Sequence, residues 1–328
     1  MQKVAEIAKK RAIQLLTSGV VNRVAGWKKG EFEYDETPAV FTSSDDVEKY
    51  FRYDVFSAPN LSKYLIEESR KEGKILAFLK PCDTYSFNQL IKEHRVVREN
   101  VYIIGIECGG MVDINTVRNR GAVGITGFED GGETVTFNTL YGDVSLKKDE
   151  ILLEKCQACK GKKHVIYDEL IIVNPQDEKP KERFAGVEAI EAMTPEERFN
   201  FWREQLSKCI RCNACRNVCP ACSCLQCVFD NPKSGIASKA SPDTFEEQLY
   251  HIIRAFHVAG RCTDCGECSR VCPQDIPLHL LNRKFIKDMS AFYGEYKAGE
   301  DSETRPPLVN YSKDDVEPNI ISDKGGDR

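Results

Sequence analysis

The residues of this sequence most able to do chemistry are its 15 cysteines, eleven of which lie between Cys209 and Cys272. In that stretch the spacing C-x2-C-x2-C-x3-C-P occurs twice, ending first at Pro220 and again at Pro273. Three thiolates at this spacing hold three irons of one [4Fe–4S] cubane, and the fourth cysteine binds the cluster of the other motif. Zinc ribbons instead use two separated pairs of cysteines. The spacing therefore predicts two [4Fe–4S] clusters, one on Cys209, Cys212, Cys215 and Cys272 and the other on Cys262, Cys265, Cys268 and Cys219.

Four cysteines outside those motifs indicate a third metal site. Cys82 and Cys108 each follow an apolar run typical of a buried strand, and a helix is expected between the two runs. A strand–helix–strand unit makes its strands parallel, so both cysteines come to the same carboxyl edge of the sheet. The later pair, Cys156 and Cys159, can complete a set of four thiolates that suits a [4Fe–4S] cluster or tetrahedral zinc. Alternatively, Cys82 and Cys108 are buried apolar thiols and only the later pair is special.

The three remaining cysteines, Cys222, Cys224 and Cys227, have no assignment from their spacing. They can serve a further cluster with a non-cysteine fourth ligand, such as His251 or His257. Alternatively, one of them replaces a cysteine of another set, or all three are free thiols packed around a cluster. The sequence leaves these alternatives open.

The elements that must position these cysteines form a cysteine-poor α/β part followed by a cysteine-dense helical part. Apolar runs at 75–79 and 101–106 predict strands buried on both faces, with a helix over 86–94 between them. In the second part Thr194 begins a capping box, and a further helix is expected to open near Asp243. The predicted fold is an α/β N-terminal domain with a partly parallel sheet, plus a mainly helical two-[4Fe–4S] ferredoxin-like C-terminal domain.

Composition shifts give the expected domain boundaries. Residues 1–173 form the α/β domain, and 174–190 form a charged, proline-containing linker. The dicluster domain is expected at 191–293, and residues 294–328 are expected to form an extended polar tail without a core of its own.

Length and charge exclude several classes of protein. The 328 residues suffice for about two domains, and 46 Lys+Arg against 51 Asp+Glu argue against a nucleic-acid-binding surface. No stretch approaches the ~20 apolar residues of a membrane-spanning helix, and the N-terminus has no apolar signal core. Thiols stay reduced in the cytoplasm, so we expect a cytoplasmic protein whose cysteines bind metal rather than form disulfides.

Several stretches together resemble two known families. Lys80-Pro81-Cys82-Asp83, Tyr102 to Met111 and Cys156-Gln157-Ala158-Cys159 resemble the coenzyme F420 hydrogenase/dehydrogenase β-subunit family, which includes formate dehydrogenase β-subunits. The cysteine motifs from Cys209 onward resemble dicluster iron–sulfur subunits found beside heterodisulfide-reductase-type complexes and sulfhydrogenases. The resemblance implies a third [4Fe–4S] cluster, held by Cys82, Cys108, Cys156 and Cys159.

The resemblance also raises the question of a flavin. Family members that reduce F420 bind FAD through a Ser-Gly-Gly-containing loop before a helix. The corresponding place here, Phe56 to Leu61, has no glycine. Close approach of the backbone to a pyrophosphate favours glycine. The sequence therefore disfavours bound FAD and, with it, F420 reduction.

The leading hypothesis is an iron–sulfur electron-transfer subunit of a multi-subunit oxidoreductase complex, without catalysis of its own. Its expected partners are catalytic or flavin-bearing subunits of a hydrogenase, formate dehydrogenase or heterodisulfide-reductase type. No Ser/His/Asp or paired-carboxylate arrangement stands out in the sequence. The alternatives are an FAD-containing enzyme that reduces F420 or a nicotinamide, and a cluster-based sensor or scaffold.

Overall fold

The computed structural model describes residues 1–174, 182–231 and 244–309. Its strands are β1 (Arg23–Lys29), β2 (Glu36–Phe41), β3 (Phe51–Arg52), β4 (Ile75–Leu79), β5 (Val101–Ile106), β6 (Ile125–Asp130), β7 (Thr134–Thr139), β8 (Val144–Lys147) and β9 (Glu169–Ile171). The helices of the N-terminal part are α1 (Gln2–Thr17), α2 (Ser44–Tyr50), α3 (Leu65–Glu68), α4 (Pro81–Lys92), α5 (Ile114–Asn119) and α6 (Glu154–Gln157). Those of the C-terminal part are α7 (Ala185–Glu191), α8 (Pro195–Ser207), α9 (Ala214–Val218), α10 (Thr244–Val258), α11 (Glu267–Arg270) and α12 (Leu278–Tyr293).

A mixed sheet carries the N-terminal part, with the strand order β2–β1–β4–β5–β9 and β3 also paired to β1. The pairs β1–β4, β4–β5 and β5–β9 are parallel, whereas β2 and β3 run antiparallel to β1. All five residues of β4 are buried, as expected of a strand covered on both faces. The predicted parallel pairing of the 75–79 and 101–106 runs is confirmed, and so is the predicted fold class.

The helix after β4 begins earlier than the sequence analysis expected. It starts at Pro81, where the missing N–H and fixed φ of proline suit the first helical position. The Asp83 carboxylate accepts a hydrogen bond from the backbone N–H of Lys80 at 3.3 Å and so caps the helix. Cys82 therefore lies in the first turn of α4 rather than in a loop before a helix at 86–94.

A second sheet, which the sequence analysis did not predict, contains β6, β7 and β8 in an antiparallel meander. Val135 and Phe137 of β7 are buried in its core, and Phe128 of β6 meets Phe56 edge-on with ring centroids 5.0 Å apart. The small sheet thereby covers the segment that begins at Phe56.

The C-terminal part is helical, and its predicted helix starts are confirmed. The backbone N–H of Glu197 donates to Thr194 Oγ1 at 3.2 Å, and the backbone N–H of Thr194 donates to the Glu197 carboxylate at 2.8 Å. This capping box begins α8 at Pro195. The helix expected near Asp243 is α10, which begins at Thr244.

One buried carboxylate joins the two parts of the chain. Glu267, at the start of α11, is fully buried and accepts a hydrogen bond from the backbone N–H of Asn60 at 3.2 Å. It also pairs with Lys155 of α6 and, at 2.7 Å, with Arg270. The N-terminal part thus contacts the second cysteine motif directly.

The described part of the expected tail, 294–309, lies against α4. The Lys92 ammonium donates to the Thr304 carbonyl at 2.7 Å. Gly299, with a φ of +76°, comes so close to Tyr85 that a Cβ would lie 1.9 Å from its carbonyl oxygen. Only glycine fits there, so this segment is seated on the N-terminal part.

Two sequence predictions fall partly outside the described residues. They are residues 175–181 of the expected linker and 310–328 of the expected tail. Across the described ranges, no helix combines the length and the apolar character needed to cross a membrane.

Candidate iron–sulfur sites

The cysteines of the first predicted set line one cavity, which we call site 1. It encloses about 330 Å³, counting its opening, and it is lined by Cys209, Cys212, Cys215 and Cys272. The chain between α8 and the end of α9 supplies the first three, and the fourth follows α11 at the end of the other motif. Buried Leu206, Ile276 and Leu278 pack against these cysteines. The exchange of the fourth cysteine that the spacing implies is therefore compatible with the geometry.

The second predicted set lines a neighbouring cavity of about 370 Å³, which we call site 2. Its cysteines are Cys262, Cys265, Cys268 and Cys219. The Asn282 amide donates to Cys268 Sγ at 3.7 Å from α12. Site 2 is thus built from both motifs, in mirror fashion to site 1.

The two motif loops share one backbone conformation. Positive φ angles, from +53° to +67°, occur at the same two positions of each loop, namely Arg211, Asn213, Asp264 and Gly266. Left-handed residues of this kind turn backbone N–H groups towards a common anion. Accordingly, the backbone N–H of Arg211 donates to Cys209 Sγ at 3.4 Å, and that of Asp264 hydrogen-bonds to Cys262. Such bonds to sulfur tune the potential of a cluster.

The four scattered cysteines also line one cavity, site 3, of about 520 Å³. They are Cys82, Cys108, Cys156 and Cys159. Cys82 comes from α4, Cys108 from the loop after β5 and Cys156 from α6, where its sulfur accepts a hydrogen bond from the backbone N–H of Met111 at 3.4 Å. Asp264 and Cys265 of the second motif line the same cavity, so sites 2 and 3 have a common wall.

Site 3 is surrounded by positive charge, since four lysines line it, namely Lys80, Lys155, Lys160 and Lys162. The Lys160 ammonium donates to the Thr263 carbonyl at 2.5 Å and lies 3.5 Å from the centroid of the Tyr85 ring. Burial lowers the pKa of Lys160 to about 8. A group bearing several thiolates is anionic, so these ammonium groups offset its charge.

Burial raises the pKa of three thiols of site 2 and of Cys156 in site 3, whereas a hydrogen bond with Cys222 lowers the pKa of Cys219. Burial raises the pKa of Cys262, Cys265 and Cys268 to about 12 and that of Cys156 to about 11. A coordinating metal removes the protons of such thiols, because it stabilises the thiolate. Sets of four soft sulfur donors around enclosed cavities, with N–H groups aimed at sulfur, fit [4Fe–4S] clusters. The individual ligand assignments stay predictions.

His251 belongs to site 1, which the sequence analysis did not establish. One ligand atom each of Cys209, Glu247 and His251 lies within 4.8 Å of the others. His251 is 2% exposed, and neither of its ring nitrogens has a hydrogen-bond partner within the described residues. In the sequence, the i, i+4 spacing of Glu247 and His251 could have indicated this placement, because it puts both side chains on one face of α10.

The unassigned cysteines line a different, open cavity, which also contains His257. The cysteines are Cys222, Cys224 and Cys227. His251 and His257 therefore belong to separate places, although the sequence offered both as partners for the same cysteines.

The segment at the expected flavin position is packed against protein. Ser57 and Asn60 are buried, and the Lys80 ammonium donates to the carbonyls of Ser57 and Pro59 at 3.0 and 2.9 Å. The Trp27 indole donates to the same Pro59 carbonyl at 3.0 Å. The segment thus serves the junction with the second cysteine motif.

Comparison with known proteins gives one domain match and several relatives. Residues 205–276 match the family model described as a 4Fe-4S dicluster domain. The chain is 25% identical to the F420-dependent formate dehydrogenase subunit beta of Methanocaldococcus jannaschii, over 91% of this chain and 92% of that protein. It is 28% identical to the F420-dependent formate dehydrogenase 1 subunit beta of Methanococcus maripaludis, over 90% of each.

Two further similarities are partial. The putative ferredoxin-3 of Sinorhizobium fredii is 33% identical over 79 residues, which are 24% of this chain and 75% of that protein. A chain of the F420-reducing [NiFe] hydrogenase complex from Methanosarcina barkeri aligns over 48% of this chain and 62% of its own length, with 14% identity and a TM-score of 0.39. Over about nine tenths of its length the chain is therefore similar to the beta subunits of F420-dependent formate dehydrogenases, and residues 205–276 match a 4Fe-4S dicluster domain.

Proposed function

We propose that this chain is an iron–sulfur electron-transfer subunit of an oxidoreductase complex and that sites 1, 2 and 3 hold three [4Fe–4S] clusters in a row. The observation that carries the proposal is the contiguity of the three cysteine sets. Sites 1 and 2 exchange their fourth cysteines, and sites 2 and 3 have Asp264 and Cys265 as common lining residues. Electrons entering at either end then have a continuous path.

Bound clusters supply one-electron redox chemistry, and the chain's own residues set its conditions. Backbone N–H groups and the Asn282 amide donate to cysteine sulfurs, which tunes the potentials. Buried Glu267 and Lys155 hold the wall between sites 2 and 3 in place and keep water out. The lysines of site 3 offset the negative charge of its thiolates.

The partner follows from the relatives as part of the same proposal. Two relatives that match over about nine tenths of their length are subunits of F420-dependent formate dehydrogenases, so the expected partner is the catalytic subunit of a formate dehydrogenase. Hydrogenase and heterodisulfide-reductase-type subunits are the alternatives. Fifteen thiols need a reducing compartment, which favours the cytoplasm. The domain at 1–173 would hold site 3, and the domain at 191–293, after the linker at 174–190, would hold sites 1 and 2.

Metal analysis of variants tests the proposal. The anaerobically purified full-length chain should contain at least about 12 irons, since each cubane has four. Cys82→Ala, Cys209→Ala and Cys262→Ala should each lose about four irons. Ser207→Ala is the matched control, because Ser207 is exposed and ends α8 two residues before Cys209. This variant should lose no iron. Full iron content in all three cysteine variants would overturn the assignments.

Co-purification and flavin analysis separate the proposal from its rival. A tagged chain in its native host should copurify with a catalytic subunit, and the acid supernatant should show no flavin fluorescence. A chain isolated alone, with one flavin and turnover of F420 or a nicotinamide, would establish the flavoenzyme instead. Both relatives are named as subunits of F420-dependent enzymes, so the flavin and turnover measurements decide between the two hypotheses.

A further inference from the structure

Three cysteines outside the three sites form the wall of a fourth cavity. Cys222, Cys224 and Cys227 all line an open space of about 2,410 Å³, counting its mouth to solvent. Their spacing, C-x-C-x-x-C, keeps three sulfur donors on one short loop. None of them lines site 1, 2 or 3.

This loop is held in place by contacts to both parts of the chain. The Lys63 ammonium, from the N-terminal part, donates to the Cys222 carbonyl at 2.9 Å and to the Arg216 carbonyl at 3.0 Å. Ser223 Oγ donates to the Glu93 carboxylate at 2.8 Å, and Arg261 pairs with the same carboxylate at 2.6 Å. The three sulfurs are therefore carried by a fixed loop rather than by a free end.

The cavity wall carries basic side chains beside the thiols, together with the carboxylates of Asp35, Glu36, Glu67, Glu68 and Asp230. Lys63, Arg216, Arg254 and Arg261 all line it. The Arg216 guanidinium contacts the Cys227 thiol, and Arg254, 4% exposed, has an Nε atom without a hydrogen-bond partner within the described residues. A buried cation with an unused donor calls for an anion. The thiols that act on the Arg254 guanidinium are those of Cys219, Cys268 and Cys215 in sites 1 and 2 and that of Cys222 in this loop, so cluster-bound thiolates on either side would supply the anion.

The same cavity offers a fourth ligand, His257. It lies on α10 one turn after Arg254, and its exposed imidazole borders the cavity beside Phe229, with ring centroids 6.4 Å apart. His251, the other histidine of this helix, belongs to site 1. His257 is therefore the histidine available to the three cysteines.

The spacing of the sulfurs favours a cluster over a single ion. Zinc–sulfur bonds of about 2.3 Å bring the ligands of one ion within about 4 Å of each other. Within the described ranges, Cys209, Glu247 and His251 are the one group of three or more with ligand atoms that close. Among the residues that the structure describes, the cysteines of the fourth cavity, like those of sites 1 to 3, form no group that close among themselves.

We propose that Cys222, Cys224, Cys227 and His257 hold a fourth [4Fe–4S] cluster, which lies between solvent and site 2, the middle of the row that the proposed function describes. Each thiol gives up one proton to solvent as its sulfur–iron bond forms, and the neutral imidazole gives up none. One electron then passes between this cluster and that of site 2, whose Cys219 contacts Cys222. A histidine in place of a thiolate raises the potential of an iron–sulfur cluster, so this one should be the easier to reduce.

Metal and sulfide analysis of the full chain, purified anaerobically, tests the proposal. The wild type should contain about 16 irons, and Cys224→Ala should contain about 12, with the signals of sites 1 to 3 unchanged in electron paramagnetic resonance. Leu225→Ala is the matched control, since this neighbouring side chain is 88% exposed, and it should keep about 16 irons.

Two substitutions of His257 distinguish the loss of a cluster from misfolding of the loop. His257→Cys should keep the full iron content and move one cluster to a more negative potential, whereas His257→Ala should lose about four irons. About 12 irons in the wild type, unchanged in Cys224→Ala, would show three free thiols and overturn the proposal. Loss of one zinc in Cys224→Ala would overturn it too. Failure of the proposed function is different, because the Cys82, Cys209 and Cys262 variants then lose no iron.

Discussion

Sites 1 and 2 differ from site 3 in how their cysteines are brought together. In sites 1 and 2, three cysteines of each set come from one short loop whose left-handed residues already aim N–H groups at sulfur. In site 3 the cysteines come from α4, the end of β5 and α6, so the parallel sheet has to form first. The sequence of a short loop is enough to gather most cysteines of sites 1 and 2, whereas the cysteines of site 3 are gathered by the topology of the sheet. The two kinds should therefore respond differently to mutation.

The largest effect is expected where the two kinds of site meet, at Glu267. Glu267→Gln leaves the buried Lys155 and the partly exposed Arg270 without their carboxylate, which should lower the free energy of unfolding by about 3–5 kcal/mol. Denaturant unfolding of the full chain under anaerobic conditions measures this. The exposed pair of Arg120 and Glu150 is the control, and Glu150→Gln should cost less than about 1 kcal/mol.

The same carboxylate gives the pH dependence. Burial alone would raise the pKa of Glu267, but Arg270 and Lys155 outweigh it and hold the pKa well below its usual range. A depressed pKa contributes stability that is present above the unfolded value of about 4.3 and is lost as pH falls towards the folded value. The difference between wild type and Glu267→Gln should therefore be constant at neutral pH and narrow below about pH 4. A difference independent of pH down to pH 3 would contradict the pairing.

The next effect should be confined to one loop. Gly266→Ala places a Cβ 2.4 Å from the Lys155 Cβ at a φ of +67°, which should cost about 1–3 kcal/mol and lower the iron content of site 2. Asn213→Gly, at the equivalent position of the other loop, keeps the φ of +61° without strain but removes the acceptor of the buried Tyr250 hydroxyl at 2.9 Å, so it should cost about 1 kcal/mol and leave the iron content unchanged. Iron analysis and unfolding of both variants check the pair. Equal losses of stability and of iron in the two variants would mean that the left-handed φ of Gly266 is not what makes Gly266→Ala costly.

A smaller effect should appear in the potential of site 1 alone. His251→Phe removes a buried side chain whose nitrogens have no partner in the described part of the chain and which, under the proposed function, would donate an N–H to the cluster of site 1. The reduction equilibrium of site 1 should become about tenfold less favourable, which is ~59 mV for one electron. Potentiometric titration followed by electron paramagnetic resonance measures it, with His251→Asn as the variant that retains a donor. An equal shift at site 3 would exclude a local hydrogen bond.

The smallest effect should be a change in stability that leaves the iron content of every site unchanged. Thr194→Ala removes the cap of α8 and should lower the free energy of unfolding by about 1 kcal/mol. Iron content and all potentials should stay unchanged, because the cysteines of site 1 begin only after the other end of this helix. Loss of iron from site 1 would mean that the helix start positions the loop.

The sequence was sufficient for the features that short-range patterns encode. The motif spacing predicted the cysteine sets of sites 1 and 2, and the apolar runs predicted the parallel strands behind Cys82 and Cys108. The helix start at Pro81 was missed because the cap depends on Asp83, whose role shows only once β4 ends at Leu79.

Features that depend on residues far apart in the sequence could not be predicted from it. The sheet of β6 to β8 has strands that are only half buried, so its apolar pattern is weak. Glu267 reads as an ordinary surface residue between two cysteines, and its burial depends on Lys155 and Asn60 from the other part of the chain. No sequence period brings those three together.

The exchange of fourth cysteines between the two motifs also sets an order of events during synthesis. On the proposed assignments, site 3 has all its cysteines once residue 159 has left the ribosome, whereas site 2 is complete only with Cys268 and site 1 only with Cys272. On those assignments, iron delivered to the growing chain finds only site 3 complete while residues 160 to 267 are being added. Sites 1 and 2 both need the second motif, so a chain truncated between its two motifs would contain neither.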